Sequence, residues 1–181
     1  YLQQSESAVT GLVRLLKVDQ TKVLPKISSL LEEMRVMQSE LQHLRQESST
    51  GARVALLEEA RRCGGPFPWA VRNLGEVDKD AFAALVDALS DAVREPQQDE
   101  MVFVLGARSE GKVLLAACAG RRAIERHGIH CGNIVKAAAM KAGGGGGGSP
   151  HRAQAGGKNP EALDDALAEA RRIITERASA S

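Results

Sequence analysis

Six consecutive glycines, Gly143–Gly148, are followed a few residues later by Ala153-Gln154-Ala155-Gly156-Gly157-Lys158. Ordering a glycine costs backbone entropy, about 0.5–1 kcal/mol relative to alanine. Six in a row are therefore expected as neither a helix nor an ordinary strand. Such a run is either a flexible spacer or a place where bare backbone must come close to something. Its surroundings favour the second. It lies between two segments of helical periodicity, a second pair Gly156-Gly157 follows it, and cations stand on both sides: Lys141 before, then His151, Arg152 and Lys158. From 121 to 158, Arg121, Arg122, Arg126, Lys136, Lys141, Arg152 and Lys158 face a single acid, Glu125. Exposed backbone N–H groups beside cations suit a phosphate-bearing partner.

Other chemistries fit less well. A Gly-x-Gly-x-x-Gly match is trivial within a glycine run, and no strand is expected directly before it, nor an acid about 20 residues on. A phosphate-binding loop of the Gly-Lys-Ser/Thr type would need a hydroxyl where Asn159 stands. His43, His127, His130 and His151 are scattered. His127, His130 and Cys131 form the one local His/Cys cluster, at a spacing that suits neither a zinc site nor a nucleophile–base pair. Trp69 reads as a core residue in preference to a stacking platform.

Composition sets the outer limits. The chain has 181 residues with a net charge of +1, so any nucleic-acid face is a local patch and not a global field. Aromatics are few, three Phe, one Tyr and one Trp, which leaves the core to Ala, Leu, Val and Ile. Three cysteines, an odd number without metal spacing, point to a reduced, cytoplasmic protein. No apolar run approaches the ~18–20 residues that span a bilayer, so no membrane association is expected. The chain begins Tyr1-Leu2-Gln3-Gln4 without an initiator Met and reads as a piece of a longer protein.

The elements that would position the glycines follow from periodicity. Val9, Leu12, Val13 and Leu16 give a first helix over about 6–16, and Lys17 to Thr21 a short connection. A second helix runs over 25–46, with Pro25 in its first turn and an a/d seam of Ile27, Leu30, Met34, Met37, Leu41 and Leu44. So narrow a stripe needs a helical partner, either the first helix folded back as a hairpin or the same helix of a second copy in a homodimer. Ser48-Ser49-Thr50-Gly51 is expected to end the helix and divide the chain into 1–50 and 51–181. Beyond it come a helix over 54–62, a strand within 66–74, and a helix capped by Asp78 that buries Phe82, Leu85, Val86, Leu89 and Val93. Met101–Leu105 and Val113–Ala119 read as a hairpin of buried strands. A helix over 132–142 precedes the glycines, Gln154 falls on a short strand, and Asn159-Pro160 starts a last helix with Leu163, Ala166, Leu167, Ala170 and Ile174 inward. The fold class is α+β: an N-terminal helical segment, hairpin or coiled coil, followed by a compact α/β globular domain with a small mixed sheet.

Ile134-Val135-Lys136, Gly143–Gly148-Ser149-Pro150 and Ala153-Gln154-Ala155-Gly156-Gly157-Lys158-Asn159-Pro160 together resemble the C-terminal domain of bacterial alanyl-tRNA synthetases. That domain has a relative at the end of many DHH-type phosphoesterases. The resemblance implies a tRNA-binding module that contacts the outer corner of tRNA(Ala), assisting aminoacylation and editing carried out elsewhere. It implies a helical linker where the heptad seam lies. It implies no catalysis and no cofactor in this piece, with ATP, Mg and Zn belonging to other parts of the parent enzyme. The RNA-binding candidates are Lys136, Lys141, Gly143, Gly144, Gly145, Gly146, Gly147, Gly148, Arg152, Gln154, Gly156, Gly157 and Lys158. The competing readings are the nucleic-acid-binding tail of a DHH-type phosphoesterase or nuclease, and an oligomerisation module built on the heptad helix.

Overall fold

A computed structural model describes residues 11, 13, 14 and 16–180, apart from the side chains of 20, 41, 42 and 44–49. Most of the helix expected over 6–16 lies outside the described residues, as do the side chains of Leu41 and Leu44 in the heptad seam. The chain divides into two compact units, 1–45 and 46–181.

A 3-10 turn, Gln20–Lys22, leads into helix α1, Val23–Arg62, which is continuous through Ser48-Ser49-Thr50-Gly51. The expected break there is absent, and the energetics say why. Two Ser, a Thr and a Gly in a helix interior together cost roughly 2–3 kcal/mol relative to alanine. Within the ten residues that follow, α1 buries Leu56, Leu57 and Ala60, and burying one leucine already contributes about 1.5–3 kcal/mol. Without a proline, nothing in the segment forces the helix to stop. Along the seam in the first unit, Ile27 and Leu30 are half-buried, whereas Met34 and Met37 are more than half exposed.

The second unit is a five-stranded mixed sheet between two helical layers. Its strands are β1 (Trp69–Glu76), β2 (Val102–Ser109), β3 (Lys112–Ala119), β4 (Gly145–Gly148) and β5 (Arg152–Gly157), in the order β1-β2-β3-β5-β4. β1 and β2 are parallel, and every other pair is antiparallel. β2 and β3 form the expected hairpin. Glu110 and Gly111 both have positive φ, the two-residue turn whose twist matches the strands it joins.

Alternation along β2 separates the two cores. Phe103 and Leu105 face α2 (Lys79–Ala92) and the end of α1, packing with Leu56, Phe82, Val86 and Leu89. Val102 and Val104 face α4 (Cys131–Lys141) and α5 (Leu163–Ser179), packing with Ile134, Val135, Leu163, Ala166 and Ile174. Asp78 caps α2 as expected, its carboxylate accepting from the N–H groups of Asp80 and Ala81. Asn159 caps the 3-10 turn Pro160–Ala162 that opens into α5. Between β3 and α4 sits α3, Arg121–His127, which the periodicity does not predict: it is short, and Ala123 is its one fully buried residue, with Ile124 only partly covered.

Gly51 is exposed, and a Cβ there would touch nothing within 4 Å. Gly51→Ala is expected to stabilise the protein by about 0.5–1 kcal/mol. Urea unfolding checks this as a raised midpoint at constant m-value.

Candidate functional site

The glycine run is not a loop. Gly145–Gly148 is β4, an exposed edge strand paired with β5 in the register Gly145↔Gly156, Gly146↔Ala155, Gly147↔Gln154 and Gly148↔Ala153. The expectation that six glycines could not make a strand fails because two local requirements, closing α4 and packing closely on β5, hold four of the six in place.

Gly143 belongs to the end of α4. Its φ of 64° is the left-handed conformation that closes a helix. Its N–H donates to the Met140 carbonyl, and the Gly144 N–H donates to Ala139 at 2.9 Å. Both bonds satisfy carbonyls that the last helical turn leaves open.

Gly144, Gly146 and Gly148 are glycines by steric necessity. A Cβ at Gly144 would lie 1.8 Å from the Gly156 carbonyl oxygen, one at Gly146 2.5 Å from Ala155, and one at Gly148 2.6 Å from Ala153. α4 adds to the crowding, since a Cβ on its Gly132 would meet the Gly148 carbonyl oxygen at 2.5 Å. Gly157, buried, is glycine for the same reason: a Cβ there would meet Ala142 at 2.5 Å.

Gly145 and Gly147 are different. A Cβ at either would touch nothing within 4 Å, and neither has a positive φ. No internal contact accounts for the missing side chains. The strand therefore presents bare peptide at alternate positions on its open face, beside the exposed Gln154 and half-buried Gly156.

The remaining candidates divide between the two ends of this edge. Lys141 is the last residue of α4, and the N–H of Lys158 donates to the Ala142 carbonyl at 3.0 Å, so both exposed lysines stand at the Gly144 end. Lys141 is also close enough to Glu169 to act on it. That carboxyl is held below its usual range first by a hydrogen bond from Arg172 and lastly by the Lys141 charge. Arg152 stands at the Gly148 end and is drawn to Asp87 on α2 at 2.5 Å. Ser149 closes the hairpin, its hydroxyl accepting from the Arg152 N–H and donating to the Arg152 carbonyl, each at 3.1 Å. Lys136 is on the outward side of α4.

The His/Cys cluster is structural. His127 lies against Phe67, ring centroids 4.6 Å apart, with its Nε2 3.2 Å from Glu100. The Nδ1 of His130 caps α4 by accepting from the Asn133 N–H. Burial pushes the Cys131 thiol far up and pushes Cys118 up to about 12. Among the described residues no group of three or more His, Cys, Asp or Glu is placed to hold a metal ion.

Comparison with known proteins adds what geometry does not. The family model described as DHHA1 domain matches residues 68–176. The chain is 31% identical over 181 residues to the alanine–tRNA ligase of Natranaerobius thermophilus, covering 100% of this chain and 20% of that protein. It is 30% identical over 177 residues to the alanine–tRNA ligase of Alkaliphilus oremlandii, covering 98% and 19%. The chain thus spans about a fifth of the length of the curated relatives it matches. A crystal structure of the C-Ala domain from Aquifex aeolicus alanyl-tRNA synthetase is similar at a TM-score of 0.49 and 21% identity, over 64% of this chain and 94% of that one.

The steric contrast along β4 is testable. Gly146→Ala is expected to cost about 1–3 kcal/mol through overpacking against Ala155, and Gly147→Ala to leave stability within about 0.5 kcal/mol of the native protein. Paired urea titrations read the difference, and equal stability of the two variants would contradict the packing described.

Proposed function

The chain belongs to the DHHA1 domain family, and from that membership we propose that it is the C-terminal tRNA-binding module of an alanine–tRNA ligase. In this reading it binds tRNA(Ala) and positions it for aminoacylation and editing performed by other parts of the parent enzyme. The chain itself performs no chemistry, and the parent's ATP, Mg and Zn are held elsewhere. The parent enzyme works in the cytoplasm. Among the described residues no helix is long and apolar enough to cross a membrane.

The observation that carries this reading is the uncovered glycine edge. Gly145 and Gly147 lack side chains where the fold would accept them, which suits a partner that must approach the backbone itself. Peptide N–H groups along a strand edge can donate to phosphodiester oxygens. Lys141 and Lys158 at one end of the strand add charge that acts over a longer range. Gln154, exposed on the adjoining strand, offers both a donor and an acceptor to a base or ribose edge. Sequence identity to alanine–tRNA ligases over 100% and 98% of this chain supports tRNA as that nucleic acid.

The first unit favours a second role. Leu31, Met34, Val36 and Met37 are each more than half exposed on α1, more apolar surface than a solitary helix leaves in water. Pairing of this helix with another, from the same chain or a second copy, would cover it. Sedimentation equilibrium separates the two, since a strict monomer at high concentration excludes the second copy.

For the RNA reading, filter binding of tRNA over a range of salt is the direct measurement. Affinity should fall steeply with salt, and Lys141→Gln with Lys158→Gln should flatten the log–log slope by about 1.5. Gly147→Leu should weaken binding by about tenfold or more by holding the phosphates off the strand, a loss near 1.4 kcal/mol, while the melting temperature stays unchanged. A folded protein indifferent to tRNA at low salt would rule the reading out.

A further inference from the structure

A second basic feature lies where α2 and β3 end and β5 begins. A cleft of about 980 Å³ opens there, and its walls bring together Arg94, Arg121, Arg122, Arg126, His151 and Arg152. These come from three separate stretches: the residues after α2, the helix α3, and the start of β5.

One carboxylate, Asp99, shares the walls. It is occupied by Arg122, whose Nε lies 2.5 Å away and whose Nη2 also donates to the Pro96 carbonyl at 2.5 Å. The other arginines are tethered by acids outside the cleft: Arg94 by Asp91 at 3.1 Å, Arg126 by Glu100 at 3.4 Å, Arg121 by Glu125 at 3.8 Å and Arg152 by Asp87 at 2.5 Å. Ion pairs as exposed as those of Arg94 and Arg121 are weak and screened. Each guanidinium carries five N–H donors, so a single tether orients the group without exhausting it. The wall contains arginine and no lysine. The planar fork of arginine matches the paired oxygens of a phosphate, and repeated forks match a row of them.

The cleft is far larger than one phosphate ion requires. It is also continuous with the glycine edge, because Ser149 and His151, in the loop directly after β4, line it. A polyanion that lies along β4 is led by that loop into the arginines.

We propose that this arginine-lined cleft is a second RNA site, which takes consecutive phosphodiesters of the sugar–phosphate backbone of the same tRNA that meets β4. The inference rests on the RNA reading given above for the glycine edge. It adds to that reading a direction: the backbone runs from the Lys141 and Lys158 end of β4, past Ser149, to α3.

The test uses the full chain and two probes, tRNA and inorganic pyrophosphate. Arg94→Gln with Arg121→Gln removes two arginines whose side chains are 78% and 72% exposed, and thermal melting checks that the fold is kept; Arg126→Gln provides an independent variant. tRNA affinity is measured across salt for the native chain, for these variants and for Lys141→Gln with Lys158→Gln. The arginine pair is expected to flatten the salt slope by about 1.5 and to weaken binding about tenfold or more at low salt. Its effect should add to that of the lysine pair, as for separate parts of one interface. Native-like slope and affinity in the arginine variants, with the lysine variant impaired, would overturn the cleft and leave the glycine-edge reading standing. No tRNA binding by the native chain, with pyrophosphate still shifting the arginine Nε–Hε signals in NMR, would make the cleft a site for free anions and overturn its assignment to RNA.

Discussion

At its two ends helix α4 approaches the β4–β5 edge so closely that there is no room for a further methyl group between them, and most of the second unit's character follows. Gly132 on the helix meets the Gly148 carbonyl, Ala142 at its end meets Gly157, and Ala138 and Ala139 are fully buried between. Backbone bonds then tie the helix to the β4–β5 hairpin at both ends. At its start, the Cys131 N–H donates to the Pro150 carbonyl; at its finish, the Lys158 and Asn159 N–H groups donate to Ala142. A strand of glycine, which alone would have no reason to stay extended, is held by contacts that only glycine permits. The entropy lost in ordering it is offset by dense packing under α4, where every missing methylene group would otherwise be a cavity.

How much of this could be read from residues alone depends on how local each cause is. The β2 strand showed itself as an unbroken apolar run because both its faces are covered. The Asp78 cap and the stripe Leu163, Ala166, Leu167, Ala170 and Ile174 were legible because a cap and a helix face are written within one or two turns of chain. The continuity of α1 was not legible, since the leucines that hold it lie past the residues that weaken it. β4 was hidden for a stronger reason. Its pairing is decided by β5 and its composition by α4, while glycine by itself carries no strand signal.

The candidate site divides in the same way. The charge asymmetry between 121 and 158 is a property of the sequence, and so is the presence of Lys141 and Lys158 on either side of the glycines. Which glycines face outward is a property of register. Gly145 and Gly147 look no different from Gly144 and Gly146 until β5 is laid beside them. The arginine cleft depends on still longer connections, because Arg94 and Arg152 are 58 positions apart in the numbering and line one cleft, with Arg152 placed there by the β3–β5 pairing.

An uncovered sheet edge is ordinarily an invitation to polymerise, because unpaired N–H and C=O groups accept a strand from any neighbour. β4 is such an edge, but it is four residues long and has no side chains to interdigitate with an incoming strand. A second protein strand docking on it would gain few hydrogen bonds, no dry side-chain contact, and the cost of fixing its own backbone. Glycine thus keeps the peptide groups open to a small, polar visitor while making the same edge a poor seed for aggregates. An edge built of Val or Ile would have been stickier toward other chains and blind to anything that needs to reach the backbone.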